Sequence, residues 1–286
     1  MIPSGRDLAE LVRLPAALTV PGDSLSGAVA AGRPFGRRGA LMPAASICLY
    51  WAGMVLNDFA DRDLDKVERP ERPIPSGRVR PAQALGLAAA LTVAGLGLAT
   101  LAAGPRMLPL TATLAGVVWA YDLVLKDTPA GPVAMATARA LDVLLGAGGA
   151  RAALVPAALL GAHTAGVTVL SRGEVHGSRA TTAAAVTAGT VMVALATSAN
   201  PRRGRPSGLA TAALAGVYAW TVGRAQARAV SSPDAGTVRT ATGAGIRGMI
   251  PLQAALAARG GAPAVGLGLL AMGPLAKAAA RVVSPT

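Results

Sequence analysis

Three aspartates, Asp58, Asp61 and Asp65, stand at i, i+3 and i+7 just beyond an uncharged apolar run, Leu41 to Leu56. If the helix of that run continues for one or two more turns, the three carboxylates share one face, while Asp63 points elsewhere. Like charges on one face repel, so the arrangement calls for a cation between them. Oxygen-only donors suit a hard ion such as Mg2+, which takes one or two carboxylates and completes its shell with waters and substrate phosphates. The stretch that holds them, Asn57 to Arg80, contains six of the fourteen acidic residues in the chain. It also contains Arg62, Lys66, Arg69, Arg72, Arg78 and Arg80, so the plainer alternative is a solvated loop in which acids and bases pair.

The elements that must position these groups are apolar. Of 286 residues, 52% are hydrophobic and 14% charged, with mean hydropathy +0.49; soluble domains carry about 25% charged residues. The apolar content lies in long blocks of Ala, Leu, Val and Gly, and thirty-five glycines would let lipid-embedded helices approach closely. Ten segments read as candidate spans: Leu14 to Ala31, Leu41 to Leu56, Pro81 to Gly104, Met107 to Leu125, Gly131 to Gly149, Ala152 to Ser171, Ala180 to Asn200, Ser207 to Gly223, Thr240 to Ala258 and Pro263 to Val283. Several fall short of the roughly 20 residues that a perpendicular crossing needs, so their polar ends belong to the span. The expected fold is an all-α, multi-pass transmembrane bundle of nine or ten helices around a central cavity, read as a single domain over residues 1–286.

A net charge of +13 accompanies only 3% aromatic residues, and the bases sit between apolar runs, which argues against nucleic acid as a partner. Membrane lipid headgroups fit better. Bases at the links after the second, fourth, sixth and eighth spans outnumber those on the other side, where Arg33, Arg37, Arg38, Arg202 and Arg203 fall. That bias places the amino terminus and the acidic stretch on the cytoplasmic side of a plasma-type membrane. Arg6, Asp7, Glu10 and Arg13 precede the first apolar run and no small-residue cleavage site follows, so the run reads as a retained helix. The single cysteine, Cys48, excludes an internal disulfide.

The pattern N57-D58-x-x-D61-x-x-x-D65, followed by R72-P73-I74-P75-S76-G77-R78, resembles the first aspartate-rich motif of the UbiA superfamily of intramembrane prenyltransferases. The continuation is similar to members such as the archaeal geranylgeranylglyceryl phosphate synthases, the chlorophyll synthases and EboC-like bacterial proteins. The resemblance implies a second metal cluster of the form D-x-x-x-D at the end of the sixth helix. Here that place reads S171-R172-G173-E174-V175-H176-G177-S178-R179. Glu174 matches the first acid, but Ser178 stands where the second is expected, a departure that leaves one strong anionic ligand there. Tyr121 and Lys126, in Y121-D122-L123-V124-L125-K126, resemble a pattern in which the lysine meets the substrate diphosphate. Arg72 and Arg78 are equal candidates for that task, since a departing diphosphate needs fixed cations. A lysine at a helix end also reads as an interfacial anchor.

Three charges lie at membrane depth, where they are costly unless paired or functional. Arg139 and Asp142, at i and i+3, either neutralise each other or line the cavity. Asp23 is lonelier and reads as a group that orients or deprotonates an acceptor. His163 reads as a satisfied polar group of the bundle. The expected activity is Mg2+-dependent transfer of an isoprenyl group from a prenyl diphosphate to a lipophilic or aromatic acceptor, at a ring carbon or a hydroxyl. Asp58, Asp61, Asp65 and Glu174 would hold the metal, and Lys126 and Asp23 would assist the chemistry. Asn57, Arg72, Arg78, Tyr121, Arg139, Arg172 and Ser178 would contact substrate. The rival reading is a catalytically altered protein of the same fold that moves lipids or metabolites, which the serine at position 178 favours.

Overall fold

A computed structural model describes residues 3–13, 20–32, 40–199 and 205–283, with the side chains of 205–206 and 275–283 excepted. The first part of the first expected span, 14–19, and the bases at 33, 37, 38, 202 and 203 lie outside the described residues. Twelve α-helices are present among the described residues, and no strand. Ten correspond to the ten expected segments: α2 (Pro21–Ala30), α3 (Leu41–Ala60), α5 (Pro81–Ala103), α6 (Leu108–Ala120), α7 (Gly131–Gly146), α8 (Leu154–Ser171), α9 (Ala180–Ser198), α10 (Arg205–Ser231), α11 (Ala235–Arg259) and α12 (Pro263–Val283). The other two, α1 (Gly5–Leu11) and α4 (Arg62–Glu68), have seven residues each and are too short to cross a bilayer.

Among the described residues, four segments are long and apolar enough to span a membrane by length and composition: α5, Pro105–Leu125 including α6, Arg151–Ser171 including α8, and α9. Their apolar windows are only 22–44% buried within the protein. Val93, Leu101, Met192 and Leu195 stand exposed on α5 and α9, a surface that water would penalise and lipid tails would not. The protein is an integral membrane protein.

Two helix ends depart from expectation. The span expected to stop at Gly223 continues to Ser231, because Gln226, Ala225 and Ala229 are buried and the Gln226 amide oxygen accepts from Thr190 Oγ1 at 2.8 Å. The next begins at Ala235 rather than Thr240, since Asp234 caps it, accepting from the Thr237 N–H at 3.0 Å.

Close helix contact is concentrated where α2 meets α7. A methyl group on Gly146 would run into the Ser24 backbone, and one on Gly27 into the Val143 carbonyl. These two glycines let α2 lie directly against α7, which sets Asp23 against Arg139. A Gly146→Ala variant should therefore lose about 1–3 kcal/mol of stability through overpacking. Its detergent-solubilised melting temperature should fall, while Gly86→Ala, with open space around its Cβ position, should not move it.

Candidate active site

The acidic stretch begins inside α3. Asn57 and Asp58 occupy its last turn, and Asp61 ends it at φ −85°, ψ 1°, after which α4 carries Asp65. The ladder hardly breaks, because the Asp61 N–H reaches the Asn57 carbonyl and the Asp65 N–H reaches the Asp61 carbonyl. Asp58 and Asp65 are buried at 4% and 2% exposure, and Asp63 points to solvent as its spacing predicts.

Protein cations occupy the space between these carboxylates. Arg72 Nη1 lies 2.6 Å from Asp65 and 3.2 Å from Asp58, joining acids two turns apart. Arg13, 45 residues upstream, adds its Nη2 to Asp58 at 2.9 Å. Asp61 faces the other way and takes the Lys126 ammonium. Three carboxylates therefore meet three bases. The plainer alternative was right about pairing and wrong about solvation.

The R72-P73-I74-P75-S76-G77-R78 segment holds Arg72 in place. Ile74 and Val79 are buried against Val55, Leu56, Ala84 and Ala88, which pins the loop to α3 and α5. Ser76 Oγ donates to the Arg72 carbonyl at 2.6 Å, and Val79 N–H bonds the Pro73 carbonyl. Gly77, at φ +77°, supplies the left-handed turn that closes the loop. Arg78 is turned away from the acids and pairs with Asp7 and Glu10 of α1. The structure thus separates Arg72 from Arg78: the first lies among the motif acids, and the second clamps the amino-terminal helix.

That clamp has a pH signature. The Ser4 hydroxyl and backbone N–H, then the Arg78 guanidinium, hold the Asp7 carboxyl below its ordinary value. A lowered carboxyl pKa gives stability that is complete above the unfolded value of about 3.9 and is lost as the pH falls through the folded one. Hydrogen exchange of the α1 amides, corrected for intrinsic rate, should be flat from pH 5 to 8 and rise only under acid, below about pH 4.

Lys126 is presented by an irregular turn. After Ala120 the backbone widens into a π-helix, Tyr121–Leu125, a distortion often found at functional sites. It buries Asp122, whose carboxylate lies near the Asn57 side chain and close over Gly53. Asp122 thus joins the site although its sequence position gave it no role. Tyr121 lies within electrostatic reach of Asp61, Asp122 and Arg172. Arg172, expected on substrate, hydrogen-bonds the Thr128 carbonyl and ties the end of α8 to the loop beyond the π turn.

Glu174 and Ser178 are not drawn into the first cluster. Glu174 is half-buried and forms no ion pair among the described residues, and its backbone carbonyl accepts from Arg239 at 2.9 Å. Gly177 is left-handed at φ +85°, and the Ser178 N–H bonds the Pro233 carbonyl. Among the described residues no three His, Cys, Asp or Glu side chains converge as a ready cage for a metal. The donor chemistry of the first cluster still fits Mg2+, since that ion needs only one or two carboxylates from protein.

Deeper in the bundle, the expected pairing is corrected. Arg139 does not neutralise Asp142; its Nη1 bonds Asp23 at 2.6 Å, and Gln253 Nε2 bonds the other Asp23 oxygen at 2.7 Å. Asp23 is fully buried and far from lonely. Asp142 instead accepts from Ser46 Oγ at 2.6 Å. His163 is satisfied, as expected, by the Gly245 carbonyl at 3.0 Å and the Tyr218 hydroxyl at 2.9 Å. A cavity of about 480 Å3 lies between α8 and α9 and is lined by none of the acids.

Residues 24–235, which include Asp58, Asp61, Asp65, Asp122, Asp142 and Glu174, match the UbiA prenyltransferase family. The chain belongs to that family. A stretch of 81 residues is 41% identical to digeranylgeranylglyceryl phosphate synthase of Methanospirillum hungatei, covering 27% of this chain and 28% of that protein. Another, of 95 residues, is 42% identical to protoheme IX farnesyltransferase of Alkalilimnicola ehrlichii and covers 32% of each. The matched stretches thus span about a third or less of these relatives' lengths. The fold agrees over far more of the chain. A solved structure of digeranylgeranylglyceryl phosphate synthase aligns with a TM-score of 0.66 at 18% identity, over 89% of this chain and 97% of that one. A UbiA homologue from Archaeoglobus fulgidus bound to DMAPP and Mg2+ aligns at 0.64 with 13% identity, over 91% and 99%. At such identities the likeness fixes the UbiA fold alone.

Proposed function

We propose that this UbiA family member transfers an isoprenyl group from a prenyl diphosphate to a lipophilic or aromatic acceptor, with Mg2+ as cofactor. The reading rests on one observation above all: three carboxylates and three bases meet at the end of an apolar bundle, where charge is costly without function. Asp58, Asp61 and Asp65 would hold the metal, with Glu174 as the candidate acid from α8. Mg2+ when bound supplies Lewis-acid neutralisation of the diphosphate.

The chain's own residues do the rest. Arg13, Arg72 and Lys126 are already among the acids, so a carboxylate engaged elsewhere frees a cation for phosphate oxygens. Fixed cations of this kind stabilise the negative charge that develops as the carbon–oxygen bond breaks. Asn57, Asp122 and Tyr121 lie beside them. The apolar helices admit the prenyl tail and keep water from the allylic cation. An acceptor carbon or hydroxyl oxygen then attacks that cation and loses a proton. The excess of basic residues in these loops supports a cytoplasmic position for this end of the bundle.

The test is product formation. Detergent-purified protein is incubated with Mg2+, prenyl diphosphates of several chain lengths and a lipid and quinone-precursor extract, and new prenylated species are sought by mass. A prenylated product that disappears with chelator is the expected result. The rival, transport by an altered member of the fold, is favoured only by Ser178 in the place of a second acid. It predicts vesicle exchange of lipid with no diphosphate released.

A further inference from the structure

A second polar cluster lies deeper along the same helix face. Ser46, Tyr50, Gly53, Asn57 and Asp61 recur every three or four residues on α3, which aligns them on one side of the helix. Asn57 and Asp61 belong to the site above. Tyr50, two turns away, lies about 10 Å along the helix axis from Asn57, within electrostatic reach of both Arg13 and Arg139. Ser46, one turn further, holds Asp142. The face thus runs from the acids to the Arg139 cluster, with Gly53 the one position on it that lacks a polar side chain.

That cluster is built, yet incomplete. Asp23 has both oxygens engaged, by Arg139 and by Gln253. Asp142 has only one. Its Oδ1 is buried with no hydrogen-bond partner among the described residues, and the residue is 7% exposed. A buried carboxylate oxygen left unpaired is expensive, and native proteins rarely keep one without use. Arg139 remains 19% exposed at its side chain, so its fork is not closed off by Asp23. Charge decides what would complete the set. Asp23 and Asp142 against Arg139 sum to one negative charge, and to zero with Asp142 protonated. Neither state offers the net positive charge that a carboxylate or phosphate ester seeks.

We propose that Asp142, Arg139 and Tyr50 form an acceptor subsite for an uncharged, hydroxyl-bearing headgroup, which donates to Asp142 Oδ1. Tyr50 shares its helix face with Asn57 and Asp61, so an acceptor held at one end here points its other end along that face toward the acids. This inference rests on the proposed transfer activity and narrows its acceptor class, setting an anionic acceptor aside. Asp23 acts in it as a positioning residue, fixing Arg139 rather than taking a proton from substrate.

The test separates the subsite from the chemistry. Calorimetric binding to the detergent-purified protein, without donor or Mg2+, uses two probes of one shape, hydroquinone and 4-hydroxybenzoate. Diphosphate release by the wild type, run in parallel, reports on the transfer reading independently. The wild type should bind hydroquinone more tightly than 4-hydroxybenzoate. Asp142→Asn should weaken hydroquinone binding roughly tenfold or more, as expected for loss of a hydrogen bond to a charged group. Tyr50→Phe, which removes one oxygen and keeps the ring, should weaken it by a smaller factor and guards against a folding defect in the first variant. Equal or tighter binding of 4-hydroxybenzoate would overturn the proposal. So would wild-type protein that binds no hydroquinone at millimolar concentration, or variants that bind it as the wild type does.

Discussion

A Lys126→Met variant should fold and release diphosphate at least about a hundredfold more slowly than the wild type. Removing one preorganised charge-stabilising group from an active site typically lowers kcat by about 10²–10³. Lys126 is placed for that role by the π turn that follows α6, and its ammonium sits on Asp61 at the edge of the acidic cluster. The methionine keeps the length and apolar bulk of the lysine, so packing at this helix end changes little. In the proposed mechanism the lost interaction is with the departing diphosphate, so the defect should appear in kcat more than in the donor KM. Single-turnover release from a saturating prenyl diphosphate is the measurement. A kcat within a few-fold of wild type would mean that Lys126 only anchors its helix at the interface.

The second large effect concerns stability. Arg139→Met leaves Asp23 fully buried with Gln253 and no cation. Breaking a buried pair by removing one partner costs about 3–5 kcal/mol, because the remaining charge is uncompensated. The variant should lose most of its monodisperse fraction on heating well below the wild-type transition. Pairing it with Asp23→Leu should recover much of that loss, since an apolar replacement of the whole pair is often neutral or better. If the single variant were as stable as the wild type, Asp23 would have to be neutral or otherwise satisfied.

How much of this was legible in the chain depends on how far apart the partners lie. That Asp58 and Asp65 come together follows from helical spacing within eight residues, as does the outward turn of Asp63, but the turn of Asp61 toward Lys126 does not. The helix boundaries were legible where apolar blocks end abruptly, as at Pro81 and Gly104. They were missed at Ser231, because the buried Gln226 looks like a surface residue until Thr190 is seen against it. Pairings across the bundle leave no local trace. Arg13 reaches Asp58 over 45 residues, and Arg139 reaches Asp23 over 116. Nearest spacing therefore pointed to Asp142 as the partner of Arg139, and the fold chose otherwise. The two glycines that let α2 rest on α7 made that choice, and among thirty-five glycines nothing in sequence singles them out. Asp122 stood within the quoted Tyr121–Lys126 segment. Its burial follows from the π turn, which periodicity does not announce.

The central claim is that the end of α3 ionises a prenyl diphosphate with the help of a divalent cation. The most direct measurement is Mg2+-dependent diphosphate release by the purified protein, with prenyl donors of several chain lengths, beside an Asp61→Asn control that elutes like the wild type. Release that requires Mg2+ and vanishes in the control is the result this account predicts. A folded wild-type protein that releases no diphosphate from any donor, or a control that releases it as fast, would contradict it.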